Sequence, residues 1–236
     1  MNRTAGAIII AIAALTLTAC NKGGDKAGST TATKAQPVTK FPESTKIDEL
    51  MPAAAGAAST FVSANGTGEI TLKIKSSTTQ GQNRIVVMEV IENNKVSDTV
   101  TWQIGPTGIF QLTARNGKAY TPPQMAVFPK FDDNTEKKYN GTGPYPSVET
   151  GKENFGPMEG ITRNRGIETI DTDMGQIEAL ATESLYAYKS GGKAYQVKNT
   201  TWFAPKYGIV RYLQTLKRED GQSQTVTLKL KGFRTK

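Results

Sequence analysis

Ile70-Thr71-Leu72-Lys73-Ile74-Lys75 alternates aliphatic with polar side chains, and a period of two marks a β-strand buried on one face. Near the other end of the chain, Val226-Thr227-Leu228-Lys229-Leu230-Lys231 repeats the pattern almost letter for letter. Segments of the same kind lie between them. Arg84 to Glu92 carries valines and isoleucines on both parities; Thr99 to Ile104 and Gly108 to Ala114 follow. Asn116-Gly117 then supplies a two-residue hairpin turn, since both residues tolerate positive φ. Alternation resumes in Glu159 to Thr162 and Ile167 to Thr172. It continues through Gln176 to Tyr188, Ala194 to Phe203, Gly208 to Lys217 and Gln224 to Phe233, punctuated by Gly191-Gly192 and Asp220-Gly221. About ten strands at hairpin spacing, with little helix, predict an all-β antiparallel sandwich, barrel or strongly curved sheet.

Three segments are less regular. Gln176 to Glu183 contains strong helix formers, but Leu185-Tyr186-Ala187-Tyr188 and the nearby glycines favour a strand. The alanine run after Pro52 is weakened as a helix by Gly56 and by Phe61-Val62. Thr121 to Pro157 contains Pro122, Pro123, Pro129, Pro144, Pro146 and Pro157. Proline cannot donate to a ladder, so this part is expected to run along an edge or rim with at most short strands.

The chain opens with Asn2 and Arg3, an apolar run from Ala5 to Leu17, and small residues before Cys20. That is the anatomy of a secretory signal. The run is shorter than the about 20 apolar residues of a transmembrane helix. Leu17-Thr18-Ala19-Cys20 resembles the lipobox of bacterial lipoproteins, which implies acylation of Cys20, cleavage before it and anchoring by two or three acyl chains. Leu17, Thr18 and Ala19 are then the signal-peptidase recognition residues. The alternative is an ordinary signal peptide cut near Ala19, leaving a free thiol in an oxidising compartment. The expected organisation is a signal peptide over 1–19, a lipidated cysteine with a disordered tether over 20–45, and one β domain over 46–236. The tether is rich in Gly, Ala, Ser, Thr, Lys and Pro, with Val38 and Phe41 as its only large apolar residues. Its root-mean-square span is roughly 25 to 30 Å, and Phe41-Pro42 is where docking is expected to begin.

Composition narrows the chemistry. Cys20 is the only cysteine, so no internal disulfide is available, and the absence of histidine excludes imidazole triads and histidine metal sites. No phosphate loop, nucleophile elbow or full dinucleotide fingerprint appears. Paired carboxylates, which suffice for glycoside chemistry, are left open, but no enzyme, cofactor or metal is expected. The net charge of +8 in an exported protein makes anionic lipid, glycan or another envelope protein plausible neighbours and nucleic acid an unsuitable one; a simply solubilising surface is the plainer reading. Asp132, Asp133, Asn134 and Glu136 lack the glycine and final glutamate of a helical calcium loop and read as a solvated turn. Asp171 and Asp173 read as surface charges.

Several segments of the globular part carry a further resemblance. Pro52, Gly56 and Phe61; Thr121-Pro122-Pro123 through Phe128-Pro129; Gly166-Ile167-Glu168-Thr169-Ile170 with Gly175 and Ala179-Leu180; and above all Trp202-Phe203-Ala204-Pro205-Lys206-Tyr207-Gly208-Ile209-Val210-Arg211 carry it. Together they resemble a family of mostly uncharacterised bacterial envelope proteins whose curved antiparallel sheet is similar to the half-barrel of lipoprotein carriers and receptors. Lys206 and Tyr207 depart from the Gly-Val of that family. The resemblance implies a single strongly curved sheet or half-barrel, and brings no settled activity.

By itself the tryptophan segment reads as a sheet corner, with Pro205 breaking the ladder and Gly208 allowing the kink. Its aromatics are expected in the core; if the concave face holds a hydrophobic guest, Trp202 and Phe203 are the candidate contacts. Lys73, Lys75, Lys229 and Lys231 form two short basic rows. They serve either to block edge-to-edge aggregation or to contact an anionic surface. The expected protein is thus a non-enzymatic, lipid-anchored envelope component that binds or scaffolds another, with a lipid or lipoprotein carrier as the alternative. Asn21 is not the aspartate that commonly retains lipoproteins in an inner membrane, so the resemblance implies the periplasmic face of an outer membrane, or the cell surface where only one membrane exists.

Overall fold

The computed structural model describes residues 38–63, 68–114, 117–146, 153–190 and 192–235. The lipobox residues Leu17, Thr18, Ala19 and Cys20 lie outside them. The fold is all-β. After a single helical turn, Ile47–Leu50, come β1 (Ala58–Ser63), β2 (Glu69–Gln80), β3 (Asn83–Glu92) and β4 (Lys95–Gly105). β5 (Gly108–Thr113), β6 (Ala119–Val127), β7 (Lys137–Pro146) and β8 (Glu153–Thr172) continue the sheet. β9 (Gly175–Ser190), β10 (Lys193–Ala204), β11 (Gly208–Arg218) and β12 (Ser223–Arg234) complete it. Every strand pairs with its sequence neighbours, and β12 pairs with β1 to close a barrel.

This corrects the expectation of an open half-barrel of about ten strands. The closing strand is β1, hidden in sequence by the alanines before it. Phe61 lies opposite Ile70 of β2 on one side and Leu230 of β12 on the other, so the two alternating segments that begin and end the domain flank one short strand. The proline-bearing stretch is also more regular than expected, since it contributes β6, β7 and the start of β8. Its prolines act at the joint between β6 and β7, where Thr121 opposite Thr142 is the sole paired position. Glu159 to Thr162 and Ile167 to Thr172 merge into β8 through a bulge between Asn164 and Gly166. Gln176 to Glu183 is strand, and no helix forms over the alanine run.

Along β2 and β12, buried Leu72, Ile74, Leu228 and Leu230 alternate with the more exposed Lys73, Lys75, Lys229 and Lys231. No helix among the described residues is long and apolar enough to cross a membrane. One end is plugged. Leu50 and Met51 are fully buried in the main core, and the Arg84 guanidinium donates to the carbonyls of Asp48 (2.6 Å), Met51 (2.8 Å) and Pro52 (3.1 Å). The backbone N–H of Lys206 donates to Glu49 O at 3.1 Å. Gly208, at φ +78°, brings the β10–β11 corner against Pro52, where a Cβ would stand 2.7 Å from the proline ring. The void left between these elements is about 10 Å³. Chain entry is pinned at the same end: Thr39 N–H donates to Gln176 O and Glu178 N–H to Thr39 O, both at 2.9 Å. Phe41 packs edge-on against Phe131 at 5.6 Å, so residues 39–41 of the expected tether belong to the fold.

Candidate functional site

The far end, made by the β7–β8, β9–β10 and β11–β12 hairpins among others, is lined by tyrosine. Tyr120, Tyr139, Tyr186, Tyr188 and Tyr195 form a second buried cluster with Val197 and Leu216. Tyr145, Tyr188 and Tyr195 stack in a row, with ring centroids 4.3 and 5.3 Å apart. Tyr139 meets Tyr186 edge-on at 5.9 Å. Glycine makes room for these rings. Gly160 is the register partner of both Tyr139 and Tyr186, and a Cβ there would clash with the Tyr186 ring and Leu185 O. A Cβ on Gly143 would stand 2.7 Å from the Tyr120 ring and 2.6 Å from Met158 Sδ.

Beneath the rings lies a buried polar layer. The Gln124 amide donates to Tyr186 Oη, which also shares a hydrogen with Thr162 Oγ1 at 3.2 Å. Across the barrel, Asn199 Oδ1 accepts from Tyr212 Oη and from Gln214 Nε2, both at 3.0 Å, and Gln214 Nε2 also reaches Tyr212 Oη at 2.9 Å. Burial pushes the Tyr139 hydroxyl up to about 12, with Tyr186 nearby adding to it. The Tyr186, Tyr188 and Tyr212 hydroxyls are raised for the same first reason. All therefore stay protonated donors at any physiological pH. Between the rings and the polar layer is a cavity of about 20 Å³, reached by Tyr120, Tyr145, Tyr188 and Asn199, with room for one water and no more. A shallow basin of about 330 Å³ lies at the β11–β12 hairpin, lined by Leu216, Arg218, Gln222, Ser223 and Gln224. Leu216 is common to the basin and the tyrosine cluster.

The residues singled out in the sequence lie elsewhere. Trp202 and Phe203 are 5% and 0% exposed. Their neighbour Ala204 is buried as well, so both faces of the strand are covered. Trp202 Nε1–H donates to Glu168 Oε2 at 2.9 Å, and the Arg211 guanidinium stands 5.0 Å from the indole centroid. These aromatics hold the corner together and present no surface to a guest in this structure. The two lysine rows come together on the outer wall beside β1, where they are largely matched by carboxylates. Lys229 pairs with Asp173 at 2.6 Å, Lys231 with Glu69, and Lys75 with Glu89 at 3.8 Å, while Lys73 forms no salt bridge among the described residues. Asp133 caps its own turn by accepting from Thr135 N–H at 2.9 Å, and Asp171 accepts from Gln176.

Two arrangements escaped sequence reasoning. Tyrosines on β6, β7, β8-facing β9 and β10 converge only because the barrel closes, although Tyr186, Tyr188 and Tyr195 share strand parity with their apolar neighbours. On the outer wall, Glu183 is nearly buried beneath Arg163 (2.7 Å) and Lys198 (2.7 Å), with Arg165 at 3.9 Å. Burial works against its charge, but the hydrogen bonds from Lys198 and Arg163 outweigh it and hold the carboxyl below its usual range.

No family model and no curated protein matches this sequence. Among solved structures, the hypothetical lipoprotein YmcC of Escherichia coli aligns over 79% of this chain and 88% of its own, at 9% identity and a TM-score of 0.38. An exported protein with a YmcC-like fold from Bacteroides fragilis aligns over 78% and 98%, at 13% identity and 0.42. A "putative lipoprotein" from Parabacteroides distasonis aligns over 84% of this chain and all of its own, at 13% identity and a TM-score of 0.54. This chain has the fold of that last protein.

Proposed function

We propose that this chain is a non-enzymatic, lipid-anchored component of a bacterial envelope, whose barrel binds or scaffolds another envelope component. The observation that carries this reading is that, among the described residues, side chains pack the barrel interior closely in this state and plug the end where the chain enters. Small-molecule pockets commonly run to about 300–1,000 Å³, and the interior leaves about 20 Å³ beside the tyrosines. Such an interior supports a presenting surface over a carrier of acyl chains. The lysine rows add little, because three of the four are matched by carboxylates. The anchor comes from Cys20, and the likeness to a lipoprotein fold supports placement in the envelope. An outer membrane, with the barrel on its periplasmic face, is the placement we propose from Asn21.

Two measurements on the full chain test this. Metabolic labelling with an alkyne-bearing palmitate should mark the wild type and not Cys20→Ser, and the variant should leave the membrane fraction; equal labelling would remove the anchor. Native mass spectrometry of the processed protein should find no acyl lipid beyond that anchor. One further lipid per chain would replace the scaffold with the carrier.

A further inference from the structure

We infer that the open end is a saccharide site, in which a neutral sugar ring enters the tyrosine-lined chamber as the β6–β7 joint yields; this deepens the proposed function and rests on it for the source of the glycan. The walls define the guest. They offer tyrosine faces and side-chain amides, with no charged group among the residues that line the cavity. A bare acyl chain there would leave the Asn199 amide NH₂ without a partner, at a cost of about 1–3 kcal/mol. An anion would find no cation. A ring with apolar C–H faces and peripheral hydroxyls meets both demands, since tyrosine combines an apolar face with a polar tip.

Asn199 supplies the orienting group. Its Oδ1 takes both hydrogen bonds, from Tyr212 and Gln214, and its amide NH₂ has no partner among the described residues. Because Asn199 lines the cavity, its amide NH₂ is presented to a guest by the two donors, Tyr212 and Gln214, that fix its oxygen from behind.

The route in is the β6–β7 joint. Neighbouring strands elsewhere share ladders such as the ten pairs from Lys137↔Thr162 to Pro146↔Glu153, whereas β6 and β7 share only Thr121↔Thr142. Pro122, Pro123 and Pro144 have no N–H to give, so few backbone hydrogen bonds resist separation here, and the bond that opening must break is the one from the Tyr139 hydroxyl of β7 to Pro122 O of β6 at 3.0 Å. Both strands also supply chamber walls, Tyr120 and Gln124 from β6 and Pro144 and Tyr145 from β7. The joint that opens with least resistance is thus the one whose movement enlarges the chamber.

Hydrogen exchange read by mass spectrometry on the full processed protein tests this, with millimolar chitobiose or maltotriose as neutral probes and a galacturonate trisaccharide and a fatty acid as controls. Without sugar, amides of 119–127 and 137–146 should exchange at least about tenfold faster than those of β9 and β10, a factor equal to about 1.4 kcal/mol. A neutral sugar should slow them. Asn199→Asp keeps the acceptor for Tyr212 and Gln214 but removes the donor, and should abolish this protection while a cooperative melt is retained at a somewhat lower midpoint; Tyr145→Ala should weaken it through loss of a ring face. Uniformly slow exchange without sugar overturns the route. Protection by neither neutral sugar, by the acidic sugar or fatty acid instead, or undiminished in Asn199→Asp, overturns the site. None of these results bears on whether Cys20 carries lipid, so the inference can fail while the anchor stands.

Discussion

Gly143 and Asn164 illustrate how single residues shape the barrel. Gly143 faces the Tyr120 ring and Met158 sulfur with no space for a methyl group. Gly143→Ala should therefore destabilise by about 2 kcal/mol through overpacking, seen as a lower urea midpoint at unchanged slope. Asn164, fully buried at the β8 bulge, acts where β7 has not yet begun. Its Oδ1 accepts from Phe128 N–H at 3.3 Å, and its Nδ2 donates to the carbonyls of Phe128 (3.3 Å) and Lys130 (2.8 Å). One side chain thus stands in for a missing stretch of ladder. Asn164→Leu should cost about 3 kcal/mol, because buried backbone groups lose their partners, and should raise exchange at residues 128–130. Neither role is written locally. Both residues look like ordinary turn formers in sequence, and only the partner across the barrel reveals why a side chain is forbidden at one and an amide needed at the other.

Among the elements, the turn Ile47–Leu50 decides whether one end is sealed. It is too short to be stable alone and holds because Leu50 reaches the core while Arg84 gathers three carbonyls around it. Leu50→Ala should lower stability by about 3 kcal/mol, the range for a buried leucine truncated in a rigid core, as measured by denaturant unfolding. The β8–β9 hairpin has a comparable part on the other side of the corner, since Asp173 N–H at its tip donates to Leu230 O of β12 at 3.0 Å. Strands β2, β4, β5 and β9 to β12 were legible from their alternation, and β3 from its run of valine and isoleucine. β1, β6 and β7 were not, because alanine and proline carry no periodic signal; these strands exist where a neighbour supplies pairing or packing that the segment does not encode.

For the whole molecule, titration predicts a broad plateau of stability bounded on both sides. Glu183 is held below its usual 4.5, so the fold binds this proton less tightly than the unfolded chain. Its contribution is present above that value and fades as pH falls through the lowered one. The tyrosines have the opposite sign. Tyr139, Tyr186, Tyr188 and Tyr212 all lie above their usual 10.0. The unfolded chain therefore loses these protons first, and stability falls as pH rises above 10. Thermal melting should be flat between about pH 5 and 10 and drop beyond each limit; replacing Tyr188 by Phe should shallow only the alkaline decline. The sequence by itself determined the strand period, the antiparallel class, the lack of imidazole and disulfide chemistry, and the lipobox-like start, because each is a property of neighbours along the chain. Closure through β1, the plug and the tyrosine chamber were decided by tertiary structure alone. They depend on which distant strands meet, and local periodicity reports which face of a strand is buried but not what lies against it.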